Sequence, residues 1–375
     1  MRCRSCCRGV LMPEAFARAA EVLLQGVLDR AFPAASVEVG RMGGPLWRRS
    51  FGSLTYEPSA PETTDGTVFD LASLTKVIAT ATLVMRAVDS GVLTLDDPVR
   101  NWLTEWRGSD REGVTIRDLL AHASGLPAYL PFFRDHMGRV EFEPAICHTP
   151  LEYLPRTQAV YSDLGFILLG FVLDHAGSGE SRTTGRFDPA AALASQFRKL
   201  ASFITPEPLT FNPSRLWRDH TAPTELDPWR GRLLIGEVHD ENAWALGGAA
   251  GHAGLFGTAS AVGAFARASL RTIAGEPLLA RSATFREFIR GSAVPGSSRA
   301  LGWDTMLPTS SCGTRMSASA IGHTGFTGTS LWIDWERDLY VVLLTNRVHP
   351  TRENNRLKAI RPAFHDAVME EFGKV

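Results

Sequence analysis

A serine and a lysine three positions apart, Ser73 and Lys76, stand where the apolar lead-in Phe69-Asp70-Leu71-Ala72 gives way to a helical run from Val77 to Val88. No other stretch limits the local fold as tightly. A helix that begins at about Ser73 carries Lys76 one turn further along the same face, so the ammonium reaches the Ser73 hydroxyl. The helix start also offers unpaired N–H groups and the positive end of the helix dipole, and both favour a serine losing its proton. A free serine hydroxyl is a weak nucleophile and needs such a neighbour. Taken alone, the pair also fits a capped surface helix, because Ser-x-x-Lys arises often by chance.

Two later segments change that balance. Tyr161-Ser162-Asp163 opens an apolar stretch from Leu164 to Leu173, and His323-Thr324-Gly325 precedes a strand-like run from Thr329 to Trp335. The order Ser-x-x-Lys, then Tyr-Ser-Asn or a variant, then Lys/His-Thr-Gly is that of the serine penicillin-recognising enzymes. On these residues the chain resembles the class C β-lactamase-like serine hydrolases. That family includes D-alanyl-D-alanine peptidases, class C β-lactamases, carboxylesterases of the β-lactamase type and cell-wall amidase-like proteins. Supporting phrases run from about Phe69 to Val368. Gly91 to Val99 and Val114 to Pro127 resemble non-catalytic family stretches that follow the nucleophile helix. Ala222 to Glu225, Gly236 to Asn242 and Gly251 to Phe256 resemble a narrower subgroup associated with peptidoglycan fragments.

The resemblance implies a β-lactamase/transpeptidase-like α/β (α+β) fold: an antiparallel sheet flanked by helices, plus an all-helical lobe. It also implies the roles. Ser73 is the nucleophile, Lys76 lowers the cost of its deprotonation, and Tyr161 is the general base that later activates water. The backbone N–H groups of Ser73 and Phe326 form the oxyanion hole. His323, Thr324 and Gly325 lie on a sheet edge, and Asp163 and His252 border the substrate. No cofactor is expected.

Asp163 stands where the family often has Asn, and His323 where it often has Lys. An aspartate within reach of Lys76 holds the ammonium charged, which makes the lysine electrostatic support rather than a base. A histidine is largely neutral at pH 7 unless its site raises its pKa, which weakens its hold on a substrate carboxylate. Strong β-lactamase activity is therefore not expected. A phenol with an ordinary pKa near ~10 is a poor base at neutral pH, so Tyr161 needs a nearby cation, for which Lys76 is the candidate.

Periodicity supplies the layout. Glu14 to Ala31 is an amphipathic helix with Phe16, Val22, Leu23, Val27 and Leu28 on one side, and Ala35 to Val39 and Leu46 to Phe51 are strands. Helical patterns dominate from Ser73 to Thr284, including Ala261 to Thr272 with Thr258 or Ser260 as N-cap. Strands return at Ala318 to Gly322, Ser330 to Asp334 and Leu339 to Thr345, and a helix follows from about Asn354 to Phe372. The division expected is a sheet lobe of residues 1–60 and 300–375 and a helical lobe of residues 61–299, with the site in the cleft between them. Gly177 to Gly185 reads as a polar loop.

Composition excludes more than it assigns. With 375 residues, 44% hydrophobic and 21% charged, the chain can bury one large core or two lobes. A formal net charge of −1 and no cluster of Lys and Arg argue against a nucleic-acid or anionic-lipid partner. The opening Met1 to Arg8 lacks a signal-peptide core and no apolar segment nears the ~20 residues of a membrane span, so a cytoplasmic location is expected, with Met12 as an alternative start. The crowded Cys3, Cys6 and Cys7 and the isolated Cys147 and Cys312 do not make a disulfide framework. His239, Asp240 and His252 have ligand-competent chemistry, but their spacing matches no metal motif, and no metal is expected. His122 reads as a cap or core hydrogen-bonder, and Asp96-Asp97 as a capped turn.

The reading is a cofactor-free serine hydrolase that works through an acyl-enzyme on a small ester, amide or peptide. A muropeptide amidase or D-Ala-type peptidase is favoured over a carboxylesterase of the β-lactamase type. A non-catalytic penicillin-binding sensor is the alternative from another class. Against it stands the retention of Ser73, Lys76, Tyr161 and the His-Thr-Gly strand together.

Overall fold

The computed structural model describes residues 15–177 and 192–373. Cys3, Cys6, Cys7 and Met12, and most of the Gly177 to Gly185 loop, lie outside them. Six strands make the main sheet: β1 Ala34–Arg41, β2 Gly44–Gly52, β3 Asp304–Thr305, β4 Ile321–Thr324, β5 Ser330–Asp334 and β6 Leu339–Thr345. Their order is β2-β1-β6-β5-β4-β3, antiparallel throughout. The two ends of the chain meet at the β1–β6 pair, where Val37 faces Leu343.

Alternation along the strands divides the core in two, because successive side chains point to opposite faces. Leu339, Val341 and Leu343 pack with Val37, Val39 and Trp332 beneath the terminal helices α1 (Ala17–Leu28) and α5 (Leu357–Phe372). Tyr340, Val342 and Leu344 pack with Leu331 and Ile333 on the other face and join the core of the helical region. Helix α4 (Ala259–Ala274) lies on this second face although it falls within the segment expected as helical lobe. Gly263 lets it come close: a Cβ there would sit 1.9 Å from Glu38 Oε1. Thr258 caps the helix by accepting the Ala261 N–H at 3.2 Å, whereas Ser260 is inside it.

The apolar side expected of α1 is corrected at Leu28, which is 75% exposed. Leu28 is five residues beyond Leu23, about 140° around the helix, and the buried face is instead Ala19, Ala20, Leu23 and Gly26. The strand expected at Ala318 starts later, at Ile321, because Ala320 N–H closes a turn on Ser317 O. Helix α5 starts at Leu357 rather than Asn354, whose amide instead donates to the carbonyls of Arg30 and Ala31.

Two helices position the chemistry. Helix α2 (Thr82–Asp89) continues a π-helical segment, Lys76–Ala81, that is buried along its whole length. Such wider turns concentrate at functional sites. Helix α3 (Asp163–Gly177) is buried at every position from Leu164 to Leu173, as an apolar-all-round helix must be. Its first residue is Asp163, so the motif of Tyr161 to Asp163 is held at the start of a deeply buried helix. Among the described residues, no helix is long and apolar enough to cross a membrane.

Candidate active site

Ser73 follows a corner that the surrounding residues force into place. Ala72 has a left-handed φ of 47°, a conformation that costs a non-glycine residue roughly 1–3 kcal/mol. Its N–H donates to Asp70 Oδ1 at 2.8 Å and its carbonyl accepts from Thr75 Oγ1 at 2.6 Å. The chain after β4 is fastened to the same corner, since Thr327 Oγ1 donates to Asp70 O at 2.7 Å and Thr329 Oγ1 to Leu71 O at 3.0 Å. Gly325 is where the two meet. A Cβ there would lie 2.6 Å from Leu71 O and 2.1 Å from Thr329 Oγ1, so only glycine permits the approach.

The nucleophile and its neighbours come together as the motifs implied. Lys76 is fully buried, and its Nζ lies 3.0 Å from Ser73 Oγ, 2.7 Å from Asp163 Oδ1 and 3.0 Å from the carbonyl of His252. Burial alone would pull the ammonium's pKa down. The Asp163 carboxylate and the Tyr161 phenol outweigh it, and the net shift is upward. Lys76 Nζ stands 4.9 Å from the centre of the Tyr161 ring. Burial raises the pKa of the Tyr161 phenol, with Asp163 adding to the rise, so the resting phenol is neutral. Lys76 opposes this rise without reversing it. Each of the two groups therefore bears on the charge of the other.

Opposite Ser73 stands the edge of β4. Phe326 and Ser73 both keep their backbone N–H groups free of other protein acceptors among the described residues, as an oxyanion hole requires. His323 is buried, and its Nδ1 donates to Thr324 O at 2.8 Å, which leaves Nε2 as the unprotonated nitrogen. Burial pushes its pKa well below the ordinary histidine value, and Arg299 and Lys76 push the same way. His323 is thus a neutral neighbour of Tyr161, with ring centroids 5.7 Å apart.

His252 is not a wall of the cleft. Its ring is buried beneath, with Nε2 2.8 Å from Asp240 Oδ1, and only its backbone carbonyl reaches the machinery. The stretch from His239 to Asn242 proves to be a brace. His239 Nε2 lies 2.9 Å from Glu225 Oε2, Arg352 bridges Glu225 and Glu241, Asp240 caps a short helix, and Asn242 ties Leu130 O to the Phe133 N–H. No cluster of three or more His, Cys, Asp or Glu side chains suited to a metal occurs among the described residues.

Ser73, Tyr161, Asp163, His323 and Phe326 line a cleft of about 700 Å³. Sequence reasoning missed Arg299, which stands beside Tyr161, and the other wall, which carries Arg347, Lys358 and Arg361. Arg347 donates to the Phe326 carbonyl at 2.9 and 2.6 Å and stacks 4.7 Å from the Phe326 ring. Arg361 has a buried Nε with no hydrogen-bond partner among the described residues, and burial with the nearby Arg347 brings its pKa down to about 10. Neither arginine has an ion-pair partner there. Isolated arginines carry no spacing signal, whether after a strand like Arg347 or inside helix α5 like Arg361, and charge counting over the chain cannot find them.

A buried Ser-Lys pair on a helix start, a tyrosine between them and a Gly-terminated strand edge with free N–H groups define a serine hydrolase of the β-lactamase/transpeptidase-like fold. The family model described as Beta-lactamase matches residues 16–363, and the chain belongs to that family. A protein of Escherichia coli (strain K12), named provisionally as a D-alanyl-D-alanine carboxypeptidase, is 28% identical over 362 residues, with 86% of this chain and 80% of that protein covered. The fold matches EstCE1, described as a hydrolase with promiscuous acyltransferase activity, at a TM-score of 0.72 and 22% identity, covering 94% of this chain and 98% of that one. An octameric penicillin-binding protein homologue from Pyrococcus abyssi matches at a TM-score of 0.68 and 19% identity, covering 92% and 76%.

Proposed function

We propose that the chain is an acyl-serine amidase or D-Ala-type peptidase that acts on small cell-wall fragments. The observation that carries this reading is the pairing of the Ser73 machinery with a cationic wall in one cleft. A substrate that ends in a carboxylate places that group against Arg347, Lys358 and Arg361 while its scissile carbonyl faces Ser73. The name of the Escherichia coli relative agrees with such a substrate.

Chemistry follows in two halves. Ser73 Oγ adds to the carbonyl, its proton passes to the deprotonated Lys76–Tyr161 pair, and the oxyanion sits between the N–H groups of Ser73 and Phe326. The pair then returns that proton to the leaving amine, which departs as the C–N bond breaks. Water repeats the sequence on the acyl-enzyme, and the carboxylic acid is released with Ser73 restored. Lys76, held charged by Asp163, supplies field to this exchange.

A carboxylesterase of the β-lactamase type is the second reading, favoured by the neutral His323 where the family often has a lysine. Cleavage of muropeptides compared with tributyrin separates the two: faster muropeptide turnover is expected, and turnover of tributyrin alone would sink the amidase reading. Intact-mass measurement with a fluorescent penicillin or fluorophosphonate tests the hydrolase itself. A transient penicillin adduct is expected, whereas a permanent one without turnover of any ester or peptide means a sensor.

A further inference from the structure

His122 sits in a stretch that carries no catalytic role in the sequence reading, yet it holds the backbone on both sides of Tyr161. Its carbonyl accepts the Val160 N–H at 3.0 Å, and its Nδ1 accepts the Ser162 N–H at 3.0 Å. Its ring lies 4.7 Å from the Tyr161 ring, centroid to centroid, and 5.0 Å from Phe166, which belongs to α3. A left-handed φ of 56° turns the residue so that carbonyl and ring meet the same segment. Such a conformation is uncommon outside glycine, though histidine, asparagine and aspartate adopt it more readily than most. The clip continues beyond it: Ser162 Oγ donates to Pro127 O at 2.6 Å and Asp163 N–H to Ala128 O at 2.9 Å.

We propose that His122 is a positioning residue for Tyr161, a neutral imidazole whose Nδ1 and carbonyl clamp the two peptide groups flanking the tyrosine and whose ring backs the phenol. The inference rests on the reading of Tyr161 as a proton-transfer group.

Accepting an N–H requires Nδ1 to be unprotonated, so the ring proton belongs on Nε2. The charges around the ring agree. Burial pushes the His122 pKa well down, and Arg299, Lys76 and the neighbouring His323 push in the same direction. Protonation would lose the Ser162 contact and put a third cation beside Tyr161, where Lys76 Nζ and the Arg299 guanidinium already stand 4.9 and 5.0 Å from the ring centroid. A phenol that must exchange a proton with Ser73 gains from a wall that cannot titrate in the working range. Tyr153 Oη, which also donates to the His122 carbonyl at 3.2 Å, completes the surroundings.

The test compares His122→Leu, which deletes the acceptor, with His122→Asn, whose Oδ1 takes the place of Nδ1 and whose backbone tolerates a positive φ. Hydrolysis of a p-nitrophenyl ester is measured in both, and again in a Tyr161→Phe background. His122→Leu is expected to lower kcat by about 10–10²-fold with little change in KM, the size of a small misplacement of a reacting group. His122→Asn is expected to recover most of that loss. In the Tyr161→Phe background His122→Leu should cost nothing further. An equal cost there would mean a merely structural role, and an asparagine variant no better than leucine would remove the acceptor role. Normal kcat in His122→Leu with loss in Tyr161→Phe overturns this inference alone, whereas normal kcat in Tyr161→Phe overturns the reading beneath it. Nitrogen NMR of the wild-type ring needs no variant to fold. A proton on Nε2 alone between about pH 6 and 8 is expected, and an imidazolium in that range overturns the proposal.

Discussion

The two walls of the cleft treat charge in opposite ways. On the Ser73 side, Lys76 is buried against Asp163 at 2.7 Å, and the pair presents little net charge to the cleft. On the facing side, Arg347 and Arg361 are held by carbonyl oxygens of Phe326, Arg352, Asn354 and Thr329 without an ion-pair partner among the described residues. A half-buried cation without an ion-pair partner is less well stabilised than a paired one. The first wall is complete before substrate arrives. On the function proposed above, the anion of the substrate completes the second, which would place the machinery on one side and recognition on the other.

If that division holds, variants on the first wall lose turnover with any substrate. Ser73→Ala is expected to abolish hydrolysis, by about 10⁴-fold or more, with the melting temperature unchanged, because a hydroxyl at a cleft surface contributes little to packing. Residual activity within tenfold of wild type would sink the nucleophile. Lys76→Ala and Tyr161→Phe should each lower kcat by about 10²–10⁴-fold on esters and peptides alike. Their double variant should lose far less than the product of the two losses, since both groups serve one proton transfer. Additive losses would show that they work separately.

On the second wall the expected loss depends on the substrate. Arg361→Gln removes a charge and keeps hydrogen-bonding shape. It should lower kcat/KM for a peptide ending in a free carboxylate by roughly 10–10²-fold, as a lost charged hydrogen bond does. Hydrolysis of an uncharged ester should stay within about twofold of wild type. Kinetics with the peptide and its C-terminal amide check this, and equal losses on both would erase the contrast between the walls.

The same contrast explains what could be read from the sequence. The first wall was legible because its chemistry depends on residue types at short spacing: Ser73 to Lys76 is one helical turn, and Tyr161 to Asp163 precedes an apolar helix. Strands β5 and β6 were legible from their apolar runs for a similar local reason. The second wall depends on distant contacts. Arg347 follows the end of β6 and Arg361 lies in the first turns of α5, and only the return of α5 across the sheet brings the two to the Phe326 loop. His252 misled because its contribution is a backbone carbonyl, which any residue could supply, while its imidazole is spent on Asp240. The brace linking His239 and Glu225 to Arg352 spans more than a hundred residues and leaves no local pattern. Helix α4 was legible as a helix and not as a neighbour of the sheet, because periodicity gives the apolar face and not what it packs against.

The smallest expected effect belongs to Asp163, on the boundary between the walls' two behaviours. Its carboxylate raises the pKa of Lys76 and also that of Tyr161. On the mechanism proposed above, the active form is the one in which the pair has lost a proton, so kcat/KM rises as pH climbs through the pair's apparent pKa. Asp163→Asn keeps the shape and removes the charge, which lowers that pKa and moves the rising limb to lower pH. Activity at neutral pH should then be retained or increased, by tenfold for each unit the limb moves. A pH profile of kcat/KM for a neutral ester checks the direction without involving the cationic wall. An unchanged limb would mean that the pair does not sense Asp163, and a shift to higher pH would mean that Asp163 itself takes the proton.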